Sequence, residues 1–379
     1  MEYLGYNFSR IVRLSFKEKK KILVFLDNQK INFFKKFIFK FMGVCFVEIK
    51  KSNNILNKAK LNFPKINFRY KNNNYSKLLN TRANQIKSEI LYLKNIYKIF
   101  KKILENNKPK IIILNMMRGI NGYFSAFGKK FNIPCFYVSH GTLSKTNNFY
   151  SQTYNKILSE ELISNRDNIF CLQSKIAKKF ADTFRANKKN IVTGNLIFSD
   201  TEKKKQKYLL YAVTNRSFVS MQFYGVETFY EYFDNLMKFN EVAKNYNLTV
   251  IIKLHPSISH LQNKLEAIFK NMSFSNKKLE GLLTNATAMI SFSSSAIEDS
   301  LCSRIPVILL DNWSRYKHCF SETNPKKKNK CVYYVKNFRS LLQAYNSILH
   351  SSNISFDEFI FKGRSKENLK DKIFLRYLN

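Results

Sequence analysis

Acidic residues are scarce in this chain. Its 379 residues carry 26 Asp and Glu against 65 Lys and Arg, a formal net charge of +39. Such a surface attracts nucleic acid, anionic lipid or an anionic substrate, and that attraction should weaken with salt. Part of the charge has a compositional source, because the chain is also rich in Asn, Ile and Phe, which AT-rich codons supply together with Lys. No apolar run reaches the roughly 18 residues expected of a membrane-spanning helix. The opening segment, Met1 to Arg10, lacks the apolar core of a signal peptide. The cytoplasm is therefore the expected location. None of the six cysteines (Cys45, Cys135, Cys171, Cys302, Cys319, Cys331) belongs to a CxxC pair. Most sit in apolar runs, as free thiols do in a reducing compartment.

Several motifs are missing as well. There is no GxGxxG near the first strand, no Walker A loop, no DxD for a metal-bound nucleotide diphosphate and no GxSxG elbow. No His/Cys/Asp group has metal-ligand spacing. A dinucleotide fingerprint, P-loop chemistry and serine-hydrolase chemistry are thereby disfavoured. The expected chemistry uses no cofactor and no metal, with leaving-group charge held by a helix end and cationic side chains.

What is present is an alternation of apolar strands and helices, which places the chain in the α/β class. Its length exceeds one comfortable core, so two domains are expected. Lys21 to Asp27, a Phe- and Lys-rich helix over Ile31 to Met42 and Val44 to Ile49 form an opening strand-helix-strand unit. Residues 50 to 80 read as a long loop with one short strand near Ile66 to Tyr70, and Gln85 to Glu105 as a helix with a clear apolar face. The charge run Asp200 to Lys207 reads as a linker between residues 1–200 and 201–355, each a Rossmann-like half. A basic helical segment, 356–379, follows.

The organising stretch is Met289 to Asp311, read as strand, serine turn, helix and strand. Ser295 with Glu298 fits a capping box that starts the helix. Ser293, Ser294 and Ser295 at a helix start suit the phosphate of a nucleotide-activated donor. The same residues also suit a capped helix that binds nothing. Ligands of open α/β sheets bind outside the carboxyl ends of strands, and other candidates lie at such ends. Arg118 stands in the loop after Ile111 to Leu114, and His140 with Gly141 and Thr142 follows Ile133 to Val138. A histidine there suits a general base, although it also suits a hydrogen-bonded turn. Lys253 and His255 share one side of a strand end and suit a pyrophosphate, and Arg216 in a third loop offers a planar fork. Their alternatives are an ordinary strand end and a solvated arginine.

Taken together, Tyr211-Ala-Val-Thr-Asn-Arg-Ser217, Lys253-Leu-His-Pro256, the Ser293–Ser295 turn and Val138-Ser-His-Gly-Thr142 resemble segments of GT-B transferases of bacterial surface polymers. The chain looks like the CDP-glycerol glycerophosphotransferases and the capsule and lipopolysaccharide glycosyltransferases that use CMP-activated sugars. Ile191-Val-Thr-Gly-Asn195 is similar to a turn of that superfamily and of UDP-N-acetylglucosamine 2-epimerases. The resemblance spans roughly residues 110 to 311. It implies His140 as base, with donor-phosphate contacts from His255 and the serine turn. Ser139 and Leu143 stand where the glycerophosphotransferases have Trp and Pro, and Ser291 and Phe292 where they have Asp and Tyr. Those departures favour a sugar donor.

The expectation is thus a GT-B glycosyltransferase with an interdomain cleft, transferring a sugar from a nucleotide donor to a capsule or lipopolysaccharide acceptor with inversion. Its site residues are His140, the donor set Arg216, Lys253, His255, Ser293, Ser294, Ser295 and Glu298, and the cleft residues Arg118, Gly141 and Thr142. Its partners are a nucleotide sugar, a glycan or lipid-linked glycan and the anionic inner-membrane face, with no specific nucleic acid. The alternatives are a polyol-phosphate transferase, a 2-epimerase and a basic nucleic-acid-binding protein. The last lacks a basic stripe interleaved with exposed aromatics.

Overall fold

A computed structural model describes residues 11–12, 16–17, 19–27, 33–49, 64–106, 109–114, 120–138, 144–163, 168–184, 190–194, 208–214, 224–359 and 376–378. The chain divides into two compact units, 1–112 with 118–135, and 113–117 with 136–379. The linker expected at 200–207 lies outside the described residues, as does most of the basic segment after residue 359.

The first unit opens as its sequence suggests. Strands β1 (Ile22–Asp27) and β2 (Val44–Ile49) pair in parallel from Ile22 with Val44 to Asp27 with Ile49, and helix α1 (Phe33–Phe41) connects them. Gly43 turns the chain from α1 into β2 at φ +79, where a side chain would be strained. Val12, Val24 and Val44 form a small core, with Phe39 of α1 packed on it. The stretch expected as a loop holds a hairpin, β3 (Arg69–Tyr70) and β4 (Asn73–Asn74), turned by Lys71 and Asn72 at positive φ. Helix α2 (Ser76–Asn106) starts nine residues before the expected Gln85. Asn80 explains part of the extension, because its side chain bonds both backbone atoms of Ile66 and the carbonyl of Ser76. The buried face of α2, with Leu91, Ile96 and Phe100, includes contacts from Phe100 to Phe124 and Phe127.

Strand β5 (Ile112–Leu114), helix α3 (Ile120–Lys130), β6 (Cys135–Val138), α4 (Phe149–Ile163), β7 (Ile169–Leu172), α5 (Lys175–Phe184) and β8 (Asn190–Val192) follow. Their strands form one sheet in the order β5-β6-β7-β8.

The largest sheet is built from the second half. Its elements are β9 (Tyr208–Ala212), α6 (Phe229–Tyr246), β10 (Val250–Lys253), a 3-10 turn (Pro256–Leu261), α7 (Gln262–Ile268), β11 (Ser273–Ser275), α8 (Leu279–Leu283), β12 (Ala286–Ser291), α9 (Ala296–Cys302), β13 (Val307–Leu310), β14 (Val332–Val335) and α10 (Phe338–Leu349). The spatial order is β11-β10-β9-β12-β13-β14, and every pairing is parallel. Counted by appearance within this half, that is 3-2-1-4-5-6, the doubly wound order. Apolar residues on consecutive strand positions go to opposite faces. Leu209 and Tyr211 join a core with Tyr232, Leu236, Phe239 and Leu341, while Leu210 and Ala212 join another with Ile297, Leu301 and Phe356. Helices on both faces explain why these strands read as unbroken apolar runs.

Candidate active site at the carboxyl edge of the large sheet

The strand order reverses between β9 and β12. Connections there leave in opposite directions, so a crevice opens at the carboxyl ends of these two strands. Val213 and Thr214 continue from β9, and Phe292 and Ser293 from β12. Ser291 at the end of β12 donates its hydroxyl to the Ala212 carbonyl, 2.9 Å, which ties the two strand ends together.

Behind this edge lies a buried polar network. The Glu227 carboxylate accepts from the Thr214 amide and hydroxyl, both 2.7 Å, from Asn235 at 3.2 Å and from the Tyr211 hydroxyl. Asn312 extends the chain to Asn235, 2.6 Å. Burial pushes the Glu227 carboxyl up, and the hydrogen bonds from Tyr211, Thr214 and Asn235 work against that shift. Next to it, Thr228 and Glu231 form the capping box that starts α6. Arg315 grips the same Glu231 through two bonds of 2.9 and 2.7 Å. It also donates to the carbonyls of Tyr224 and Val226 and lies 4.8 Å from the centre of the Phe292 ring. One planar fork thus joins the start of α6 to the residue before the serine turn.

The loop after β13 closes the edge. Asp311 accepts from the Tyr316 amide, 2.8 Å, and from the Tyr334 hydroxyl, 2.9 Å, and burial raises its carboxyl above the usual range. Lys317 is buried over the Tyr334 ring at 5.0 Å, and burial lowers its ammonium. Helix α4 holds this loop from the other side. The Asn155 side chain accepts from the Tyr316 hydroxyl and donates to the His318 carbonyl, while the Ser151 hydroxyl accepts from the Lys317 amide. The His318 imidazole is buried, which lowers its pKa to about 4 and keeps it neutral at pH 7. Its Nδ1 lies 3.3 Å from the Ser293 hydroxyl and 3.4 Å from that of Tyr316. Its Nε2 has no hydrogen-bond partner among the described residues, and the ring lines a small cavity with Ser144, Gln173, Ser174 and Glu298.

The expected site residues fall into two groups. Arg118, His140, Gly141, Thr142 and Arg216 lie outside the described residues. Lys253 ends β10, with its ammonium bonded to the Leu254 carbonyl at 2.8 Å and its pKa lowered by burial. His255 caps the 3-10 turn, its Nδ1 accepting from the Ser257 amide at 3.2 Å. The proton of the neutral ring therefore belongs on Nε2. These two residues stand two strands away from Ser293, about 10 Å at the usual strand spacing. The Ser294 hydroxyl accepts from the Ala296 amide, 3.1 Å. Glu298 lies half-buried in the first turn of α9.

The capping box expected between Ser295 and Glu298 does not form. Ser295 is the N-cap residue, but its backbone is helical (φ −59, ψ −20) and its side chain makes no capping bond. A capping hydroxyl needs an extended backbone to fold back on the helix. The amides it would reach are already taken, Ile297 by the Ser294 carbonyl and Glu298 by that of Ser295.

Sequence reasoning missed Glu227, Asn235, Arg315, Tyr316 and His318. A usable signal existed for some of them. Thr228-x-x-Glu231 is itself a capping-box pattern, and the strand-end rule applied to β13 leads straight to Asp311 and its loop.

No protein-family model matches the chain, and no curated protein sequence does. Among solved structures, it is similar to the UDP-GlcNAc 2-epimerase of Methanocaldococcus jannaschii in complex with UDP-GlcNAc and UDP, at 15% identity over 88% of this chain and 92% of that one, TM-score 0.50. The UDP-GlcNAc 2-epimerase of Neisseria meningitidis bound to UDP-GlcNAc matches at 15% identity, 88% and 91% coverage and TM-score 0.48. CalG4, the calicheamicin glycosyltransferase, matches at 10% identity, 97% and 91% coverage and TM-score 0.49. At such identity the first of these likenesses shows the fold alone, and that fold is α/β of the GT-B type, with Rossmann-like parallel sheets.

Proposed function

We propose that this chain is a nucleotide-sugar enzyme, a glycosyltransferase that moves a sugar from its donor to a cell-surface glycan, capsule or lipopolysaccharide. The observation that carries the reading is the reversal of strand order between β9 and β12, with polar side chains gathered at that edge. In this reading Ser293, Ser294, Ser295 and Glu298 meet the donor beside the crevice, and Lys253, His255 and Arg216 hold its phosphates. A lysine holding one carbonyl keeps two further donor hydrogens. His140 deprotonates the acceptor hydroxyl, with Arg118, Gly141 and Thr142 beside it. Transfer is direct, without metal, and inverts the anomeric centre. The enzyme works at the cytoplasmic face of the membrane.

A second reading has specific support. The structure matching at TM-score 0.50 is a UDP-GlcNAc 2-epimerase, so reaction at C2 of a nucleotide sugar is the rival. A thermal-shift panel of UDP, CDP, CMP and GDP tests what both readings share, since a ligand at 100 times its Kd stabilises the folded state by about 2.7 kcal/mol. No shift with any nucleotide would sink both. Incubation with the sugar conjugate of the preferred nucleotide then separates them. Free nucleotide appearing with an added glycan acceptor supports transfer, and the C2 epimer of the donor without acceptor supports epimerisation. A preference for CDP with turnover of CDP-glycerol alone would point to a polyol-phosphate transferase.

A further inference from the structure

Helix α1 (Phe33–Phe41) turns most of its apolar residues towards water. Phe33, Phe34, Phe37, Ile38 and Phe41 are all exposed, Phe33 by 84% and Phe41 by 81%. At 3.6 residues per turn these five positions fall within an arc of about 140°. They therefore make one continuous stripe. The inward position is Phe39, which packs on Val12, Val24 and Val44 and faces the Phe46 ring at 6.5 Å. A surface helix ordinarily buries its one wide apolar stripe against the core and turns its polar face to water; here the wide stripe is the outward one. Five large side chains together approach the largest apolar patch that a typical monomer shows, and patches of that size mark interaction sites.

Charge identifies the partner. Helix α1 contains no acidic residue, and Lys36 and Lys40 border the stripe. The Ile22 amide donates to the Gly43 carbonyl, 3.2 Å, so the start of β1, directly after Lys19, Lys20 and Lys21, meets the turn that follows Phe41. Aromatic rings on one side with lysines at their border suit the boundary between acyl chains and anionic headgroups, where a helix lies flat with its apolar face sunk in. A second copy of the chain fits less well, since two molecules of net charge +39 repel each other across a lysine-bordered face.

We infer that the exposed Phe33–Phe41 stripe of α1 docks the protein on an anionic lipid bilayer. This adds a specific apolar anchor to the general attraction of a basic surface, and it does not depend on the reaction catalysed.

Co-sedimentation of the full chain with vesicles tests it. Vesicles of equal phosphatidylglycerol and phosphatidylcholine should bind the protein, and pure phosphatidylcholine should bind it much more weakly. The triple variant Phe33→Ser, Phe37→Ser, Phe41→Ser should lose affinity for the anionic vesicles on the order of 100-fold, roughly fivefold for each half-buried ring. Because all three rings are exposed, its circular dichroism should match the parent. A Phe37→Trp variant supplies a second readout, since the only natural tryptophan is Trp313. Emission from the introduced indole should shift to the blue on vesicle binding and be quenched by bromine-labelled acyl chains. Wild-type affinity in the triple variant overturns the inference. So does unchanged emission from the Phe37→Trp variant on vesicles that bind it. A wild-type dimer that the triple variant converts to monomer, with vesicle binding unchanged, overturns it in favour of self-association.

Discussion

Acidification from pH 7 to pH 5 should destabilise this protein through His318. The residue is only 6% exposed, and burial lowers its pKa from 6.5 to about 4. Between those values the unfolded chain binds a proton that the folded chain does not. Stability is therefore lost as pH falls from 6.5 towards 4, and it is retained above that window. The whole effect is worth roughly 3 kcal/mol, of which about 2 is lost by pH 5. Glu227 and Asp311 act in the opposite sense. Burial raises both, so the stability they contribute is present at low pH and lost as pH rises through their folded values. The wild-type pH slope mixes these effects, and the comparison with His318→Gln separates them. Glutamine keeps a polar group towards Ser293 and Tyr316 and cannot titrate. Urea unfolding at pH 7 and pH 5, followed by emission of Trp313 in the same loop, gives the four required free energies. The wild type should lose about 2 kcal/mol more than the variant on acidification. Equal losses to within about 0.5 kcal/mol would refute the reasoning, and so would an NMR titration that protonates the folded His318 ring above pH 6.

Four further residues carry measurable outcomes. Glu227→Ala strands Tyr211, Thr214 and Asn235 without their acceptor and should cost ~3–5 kcal/mol in urea unfolding, with Glu227→Gln costing clearly less. Arg315→Lys loses the fork to Glu231 and the carbonyls of Tyr224 and Val226, so amide exchange over residues 224–228 should accelerate by about tenfold or more while the core of α6 keeps its protection. On the proposed function, His140→Ala should lower kcat by roughly 10²–10⁴-fold and leave nucleotide affinity nearly intact. His255→Ala should weaken that affinity by about one to two decades. Calorimetry with the nucleotide and initial rates with the donor read the two separately, and the reverse pattern would reverse the roles.

Local chemistry alone determined much of this protein. The apolar runs and their spacing placed β1 and β2 within one residue of Lys21 to Asp27 and Val44 to Ile49, and Met289 to Asp311 carries the end of β12, then α9 and β13. They did so because a run of buried side chains with a fixed period is written directly in the order of the residues. Two short elements, β11 and α8, escaped, since three and five residues carry too little periodicity to stand out. Tertiary structure decided the rest. The order β11-β10-β9-β12-β13-β14 is a choice among arrangements of equally apolar strands, and that order creates the crevice. Ser295 and Glu298 match a capping box in sequence, yet the backbone entering α9 is helical and the bond is not made. His318 is one histidine among five until packing against Tyr316 and Asn155 removes its water and its charge. In α1, the period shows which residues share a face. Whether that face is covered depends on where the rest of the chain packs, and here Phe33, Phe34, Phe37 and Phe41 are exposed while Phe39 is packed on the core.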